Sequence, residues 1–330
     1  MGEILIVDGS GFFFRAFHAV PEETSPEGLP VNAVRGFVTM ALRPILERSS
    51  ARSAVVVFDA PGPTFREALF PAYKAHRPPH PEALTAQAPL VREAALAFGF
   101  SILDVPGFEA DDVIATVTSM ALAAGDSAIV VSSDKDLMQL VRPGVRMYDQ
   151  QRRRMIGPSE VMEKFGVSPD LVVDVQALAG DAADGIPGVA GIGLKTAAAL
   201  ISEYGSLEGL LANAGAVRQP ARRKALLESV GDARLSYVLA RLRDDVPLPT
   251  PYSSFERSMP DAGRIRAFLE RMGFPPRLAP SASRLFPASF IPSSSFPTLA
   301  DDRLEEAEEL SEASASSSPP DWEEAPLPEH

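Results

Sequence analysis

Nine acidic residues define the chemistry open to this chain: Asp8, Asp59, Glu109, Asp111, Asp112, Asp134, Asp136, Asp181 and Asp184. Five of them fall within residues 106–140, PGFEADDVIATVTSMALAAGDSAIVVSSDKDLMQL. Like charges crowded in this way destabilise a fold unless a cation or ligand neutralises them. Carboxylate oxygens are hard donors, so the cations they suit are divalent ions of the magnesium and manganese kind. Other chemistries are poorly supplied. The chain has no cysteine, so thiolate zinc sites and disulfides are absent, and its four histidines form no ligand set.

The elements that must position these acids can be read from apolar runs. Residues 4–7 lead into Asp8, residues 54–58 (AVVVF) into Asp59, and residues 128–131 into SSDKD. Short, continuous apolar runs separated by helical stretches read as buried parallel strands of an α/β sheet. Ligands of such sheets bind outside the carboxyl ends of the strands. Asp8, Asp59 and Asp134 should therefore meet along one edge. A single acid after a strand is usually a turn former or a helix cap; three of them, joined by a fourth cluster, favour a site. That fourth cluster, Glu109, Asp111 and Asp112, opens a helix, where acids also suit the dipole by ~0.3–1 kcal/mol each. Glu109 and Asp112 share a helix face and Asp111 points elsewhere, which suits ligands for two ions better than a cap.

Between Asp59 and that helix, residues 61–84 read PGPTFREALFPAYKAHRPPHPEAL. Arg66, Lys74 and Arg77 are interleaved with Phe65, Phe70 and Tyr73, and prolines break the segment into short pieces. It is either a surface loop or a clamp whose bases meet phosphates while Tyr73 stacks on a nucleobase. Arg152, Arg153 and Arg154 read as a solvated turn between strands, and Ser159 as the N-cap of the helix that follows. Next, GDAADGIPGVAGIGLKTAAALISEYG places Asp181 and Asp184 ahead of a glycine-rich hairpin. Gly188, Gly191 and Gly193 leave backbone N–H groups free to face an anion, and Lys195 and Thr196 sit where a phosphate would dock. The spacing Gly188–Gly193 imitates a nucleotide-binding P-loop, but Leu194 holds the obligatory lysine position. That reading fails.

The formal charge is −13 over 330 residues, which looks unsuited to a polyanion. The distribution changes that view. Residues 301–330 hold eleven acids against one base, so the remaining 300 residues carry only −3. With nine acids committed to metal, the rest of the body counts about +6, compatible with nucleic acid. The chain begins MGEILIVDGS, without the basic flank and cleavage site of a signal peptide. No apolar run reaches the ~20 residues that cross a bilayer. A cytoplasmic, soluble monomer is the expectation. Residues 281–330 are rich in Pro, Ser and Glu, with too few apolar side chains to offset ordering entropy.

Five segments together resemble the 5′ nuclease family, which comprises the 5′–3′ exonuclease module of bacterial DNA polymerase I and its flap-endonuclease relatives. They are IVDGSGFFFRAFHA, VVFDAPGPTFREALFPAYKAHRP, VPGFEADDVIAT, SSDKDLMQL and GDAADGIPGVAGIGLKTA, in family order, within residues 3–275. The resemblance implies an α/β fold of PIN-like type, a mostly parallel central sheet flanked by helices. It also implies a helical helix–hairpin–helix subdomain. The corresponding divisions are 1–175 for the nuclease core with a clamp at about 62–95, 176–280 for the subdomain and 281–330 for the acidic tail. It further implies two Mg²⁺ or Mn²⁺ ions on the nine acids, and a potassium ion at the hairpin. Lys74, Arg77 and Tyr73 would be the catalytic clamp, and Arg15, Arg66, Gly188, Gly191, Gly193, Lys195 and Thr196 would contact DNA.

The implied activity is two-metal hydrolysis of DNA, and of RNA primers, at 5′ flaps, nicks and 5′ ends. Phe14, Arg35, Met138 and Gly185 depart from residues common in the family. Two alternatives stay open: a catalytically weak structure-specific DNA-binding protein, or the N-terminal piece of a full-length polymerase. A phosphatase of the haloacid dehalogenase type is disfavoured, because that chemistry wants a second Asp two residues after the first and Ser10 stands there.

Overall fold

The computed structural model describes residues 2–49, 51–258 and 260–280. The acidic stretch 281–330 lies outside the described residues. Six strands form one sheet: β1 Glu3–Asp8, β2 Ser53–Val57, β3 Ser101–Leu103, β4 Ser127–Val131, β5 Val145–Asp149 and β6 Arg154–Ile156. Their order is β3-β2-β1-β4-β5-β6. All pairings are parallel except β5 with β6. The sequences dictate this. ILIV, AVVV and AIVV are apolar at every position and buried on both faces, as strands of a covered parallel sheet must be.

The N-terminal region carries helices α1 Gly9–Ala19, α2 Asn32–Phe37, α3 Arg43–Arg48, α4 Phe65–Leu69, α5 Glu82–Ala97, α6 Ala110–Ala123 and α7 Pro158–Phe165. Helix α6 lies against β1 and β4, with Val113, Ile114, Val117 and Ala121 fully buried. The two valines and Ile114 contribute roughly 1.5–3 kcal/mol each, and Ala121 less. Helix α7 starts at Pro158, not after Ser159: Gly157 precedes it, and Glu160 accepts the Gly157 N–H at 2.7 Å. Proline at the first helical position needs no amide partner, so the helix begins two residues earlier than the sequence reading placed it.

The remainder is helical: α8 Val172–Ala179, α9 Leu194–Tyr204, α10 Leu207–Ala212, α11 Pro220–Glu228, α12 Val230–Ala240 and α13 Ala262–Arg271. Helix α8 packs on α9 and α12. The expected division at 175–176 falls inside α8. Gly188, at φ +61°, could carry no side chain, because a Cβ there would lie 2.4 Å from the Gly180 nitrogen. Its N–H donates to Ser236 Oγ at 2.9 Å, fixing the glycine hairpin onto α12. No described helix is long and apolar enough to cross a membrane.

Candidate metal centre

The first half of the centre is the edge formed by the strand ends. Strand β1 sits where the chain's crossovers diverge, with β2 on one side and β4 on the other. Such a switch point opens a crevice beyond the strand termini. Asp8 closes β1 and is 6% exposed. It accepts the Gly11 N–H at 2.8 Å, capping α1, and a hydrogen bond from Ser132 Oγ at 2.7 Å. The same Ser132 oxygen accepts the Asp134 N–H at 3.0 Å, and Ser10 Oγ accepts the Asp59 N–H at 2.8 Å. Asp59 in turn accepts the Ala110 N–H at 2.8 Å, at the start of α6. Two serines that the sequence did not flag therefore tie the strand ends together. Their signal was present in D-G-S and V-S-S-D, though serine after a strand is too common to single out.

Asp8, Asp59, Asp111, Asp134 and Asp136 have no basic side chain within ion-pair distance among the described residues. The consequences are electrostatic. Burial, reinforced by Asp134 and Asp59, pushes the Asp8 carboxyl up to about 6. Burial and then Asp134 push Asp136 up to about 7. Asp111 is raised well above the usual carboxylate range, by burial first and then by Asp134, Asp8, Glu109 and Asp59. Gln176 of α8 donates to Asp136 Oδ1, and its own Oε1 is buried without a partner.

The second half of the centre is paired. Arg66 is 1% exposed and grips Asp112 through both guanidinium ends, at 2.6 and 2.8 Å. Asp112 is fully buried and also accepts the Glu109 and Arg243 N–H groups at 3.2 and 2.8 Å. Both of its oxygens are occupied. This corrects two expectations at once: Asp112 is committed to holding the fold, and Arg66 cannot reach DNA because it is sealed under α12, donating to Leu239 O and Arg241 O. Burial works against the Arg66 charge, and Asp112 and Glu109 more than reverse it.

Tyr73 is corrected as well. At 3% exposure it packs with Val173, Ile186, Leu239 and Ala240, so its ring has no face left for a base. Its hydroxyl donates to Glu109 Oε2 at 3.0 Å. Burial and the neighbouring Glu109 hold that proton in place.

Lys74 lies 2.6 Å from Glu109 and 3.6 Å from Asp184, while Arg77 pairs with Asp184 and donates to Ala183 O. Lys74 holds a left-handed backbone at φ +53°, a conformation that costs of order 1–3 kcal/mol and persists only when its surroundings enforce it. Here the Lys74 N–H donates to Asp184 O at 2.9 Å. Gly185, the departure noted above, is at φ +71°, and a Cβ there would lie 2.9 Å from Ala72 O. The clamp backbone and the 181–186 turn are thus pressed together. Lys135 completes the paired half, 2.7 Å from Asp181.

Among the described residues no three acidic or histidine side chains converge as a ready-formed ion cage. The donor set still fits hard divalent cations: the five unpaired acids are all oxygen donors on one edge, with an orphaned amide oxygen on the residue that holds Asp136. The hairpin residues Gly191, Gly193 and Lys195 are exposed at the mouth of α9, with Thr196 half-buried behind them.

Comparison with known proteins gives a consistent picture. Residues 3–166 match the 5′–3′ exonuclease N-terminal resolvase-like domain, and residues 167–263 match the 5′–3′ exonuclease C-terminal SAM fold. A 5′–3′ exonuclease of Aquifex aeolicus is 35% identical over 272 residues, covering 82% of this chain and 92% of that protein. DNA polymerase I of Rhizobium leguminosarum is 45% identical over 278 residues, covering 82% of this chain. The matched region spans only 27% of that polymerase's length. The bacteriophage T5 D15 flap endonuclease, solved as a pseudo-enzyme–product complex with DNA and metal ions, superposes with a TM-score of 0.61 at 22% identity. That match covers 72% of this chain and 88% of the T5 chain.

Proposed function

The chain belongs to the 5′–3′ exonuclease family, and from that premise we propose that it hydrolyses phosphodiesters of DNA near 5′ ends with divalent cations held on the strand-end acids. The observation that carries this reading is the imbalance along the acidic edge. Among the described residues these five carboxylates have no basic partner, and burial with mutual repulsion raises the pKa of Asp8, Asp111 and Asp136 far above the usual carboxylate range. An edge in that state awaits cations. When bound, divalent ions supply Lewis-acid activation of the phosphodiester and of the attacking water.

The chain's own residues do the rest. Ser132 and Ser10 hold the strand ends in place, and Gln176 orients Asp136. Lys74 and Arg77 stand at Glu109 and Asp184, where they would meet the phosphate and stabilise charge that develops on it. Glu109, Asp181 and Asp184, which pair with Lys74, Arg77 and Lys135, would complete the set of acids holding the cations. Gly188 is buried with its N–H spent on Ser236, so of the three hairpin glycines expected to face DNA only the exposed Gly191 and Gly193 would offer N–H groups to duplex backbone, with potassium at that turn. Substrates are 5′ flaps, nicks and 5′ ends, including RNA-primed ends, and the working unit is a monomer.

The test is cleavage of a 5′-flapped, a nicked and a single-stranded oligonucleotide, each with magnesium and with chelator. Magnesium-dependent release of 5′ products from the flapped or nicked substrate is expected. Undiminished cleavage in chelator, or none in magnesium, overturns the proposal.

A further inference from the structure

A cavity of about 510 Å³ opens beside Asp8 and Asp134, away from the clamp: neither Lys74 nor Arg77 lines it. Its remaining charged walls are all basic. Arg15 comes from α1, Lys135 from the turn after β4, Arg152 and Arg154 from the β5–β6 hairpin, and Lys164 from α7. Three separate stretches, α1, the turn after β4, and the β5–β6 hairpin with the α7 that follows it, thus bring five cations around one space. The sequence reading treated the three arginines only as a solvated turn.

Several of these cations are not used by the protein. Arg15 and Lys164 have no ion pair among the described residues, and Arg15 donates to Ser133 Oγ. Arg154 reaches Glu163 only at 4.0 Å, with both side chains well exposed, a pairing of little worth. Lys135 and Arg152 are held, by Asp181 at 2.7 Å and Asp149 at 3.1 Å. The cavity therefore carries an excess of positive charge directly against an acidic edge. Its wall sets five bases against the two acids Asp8 and Asp134, a balance that attracts a mobile anion. Its size lies within the range of sites for small organic ligands, and Met138 is the one large apolar side chain in its wall. Such a lining suits a phosphate with its sugar, not the stacked face of a base.

We propose that this cavity binds a phosphate of the nucleic-acid strand that passes the acidic edge, with Arg15, Arg154 and Lys164 as its free cations. The inference rests on the nuclease reading of the adjoining edge and adds a phosphate subsite built largely from the β5–β6 hairpin and α7. The phosphate is either the terminal 5′-phosphate or an internal phosphodiester; the chemistry of recognition is the same.

The experiment uses the full chain and the variants Lys164→Glu, Arg154→Glu and the double variant; Lys224→Glu is the charge-matched control for each single variant, and Lys224→Glu with Arg266→Glu, also exposed, for the double variant. Arg154, Lys164 and Lys224 are exposed, and melting temperatures confirm folding. Binding to nicked duplex with a 5′-phosphate or a 5′-hydroxyl is measured between 50 and 200 mM salt, and cleavage of both is measured in magnesium. Relative to the control, the double variant should bind about tenfold more weakly, with the salt slope reduced by about one per lost contact.

A loss confined to 5′-phosphorylated DNA identifies the terminal phosphate, whereas an equal loss on both substrates identifies an internal one. A double variant that binds both substrates as tightly as its charge-matched double control, with an unchanged salt slope, overturns the proposal. If the unaltered protein cleaves neither substrate, the nuclease reading fails instead, and the binding comparison judges the cavity on its own.

Discussion

The acidic edge divides into two halves made of the same residue types and set against one another. On the clamp side, Glu109, Asp112, Asp181 and Asp184 each face an arginine or lysine. On the strand-end side, Asp8, Asp59, Asp111, Asp134 and Asp136 face serines, backbone N–H groups, Gln176 and one another. The difference separates two uses of a carboxylate. A buried acid locked to a guanidinium is structural, since removing either partner strands a charge. An acid left unpaired among its own kind is strained in the absence of a cation, and that strain is the driving force for binding one.

The sharpest way to break this contrast is to remove the buried base. Arg66→Ala leaves Asp112 buried and unpaired, which costs about 3–5 kcal/mol and should lower the melting temperature by roughly 10 °C. Calorimetry that finds a change of under 2 °C would contradict the structural role. Next in size is the converse substitution. Asp134→Asn removes an exposed charge from the unpaired half, so cleavage should fall about a hundredfold, near 2.7 kcal/mol in the barrier, while thermal stability holds or rises. Steady-state kinetics and a melting curve on the same sample check both parts.

Stability against pH comes next. The Asp8 and Asp136 carboxyls are raised in the folded chain, to about 6 and about 7. Folding therefore favours their protonated forms, so their contribution is present at low pH and lost as pH rises through those values. The cation-free protein should melt several degrees higher at pH 5.5 than at pH 8, and saturating magnesium should narrow that gap. The smallest effect is expected for Ser132→Ala, which removes the hydroxyl donated to Asp8 and accepted from Asp134. It should cost about 1 kcal/mol, read by chemical denaturation, and less when magnesium is bound.

Much of this arrangement was legible in the residues themselves. Apolar runs ending in acids placed Asp8, Asp59 and Asp134 on one edge, because a parallel sheet puts its strand termini together whatever the loops do. The partners of those acids were not legible. Arg66 reads as a surface base in a proline-rich segment, yet it finds its hydrogen bonds at Leu239 and Arg241, more than 170 residues away. Tyr73 looked like a stacking ring and is instead covered by side chains from α8, the 181–186 turn and α12. Arg152 and Arg153 do sit on a turn, as read, but only the fold shows that Arg15 and Lys164 face the same cavity. Local pattern gives the elements; the pairing of charges depends on which elements meet.

The central claim is that the unpaired half of the edge is a cation site. Titrating manganese into the cation-free protein at pH 8, with heat of binding and melting temperature followed together, tests it most directly. Saturable binding that raises the melting temperature, lost in Asp8→Asn and Asp136→Asn but retained in Lys74→Ala, is the predicted result. Binding that is absent, or that survives unchanged in both aspartate variants, would contradict the account.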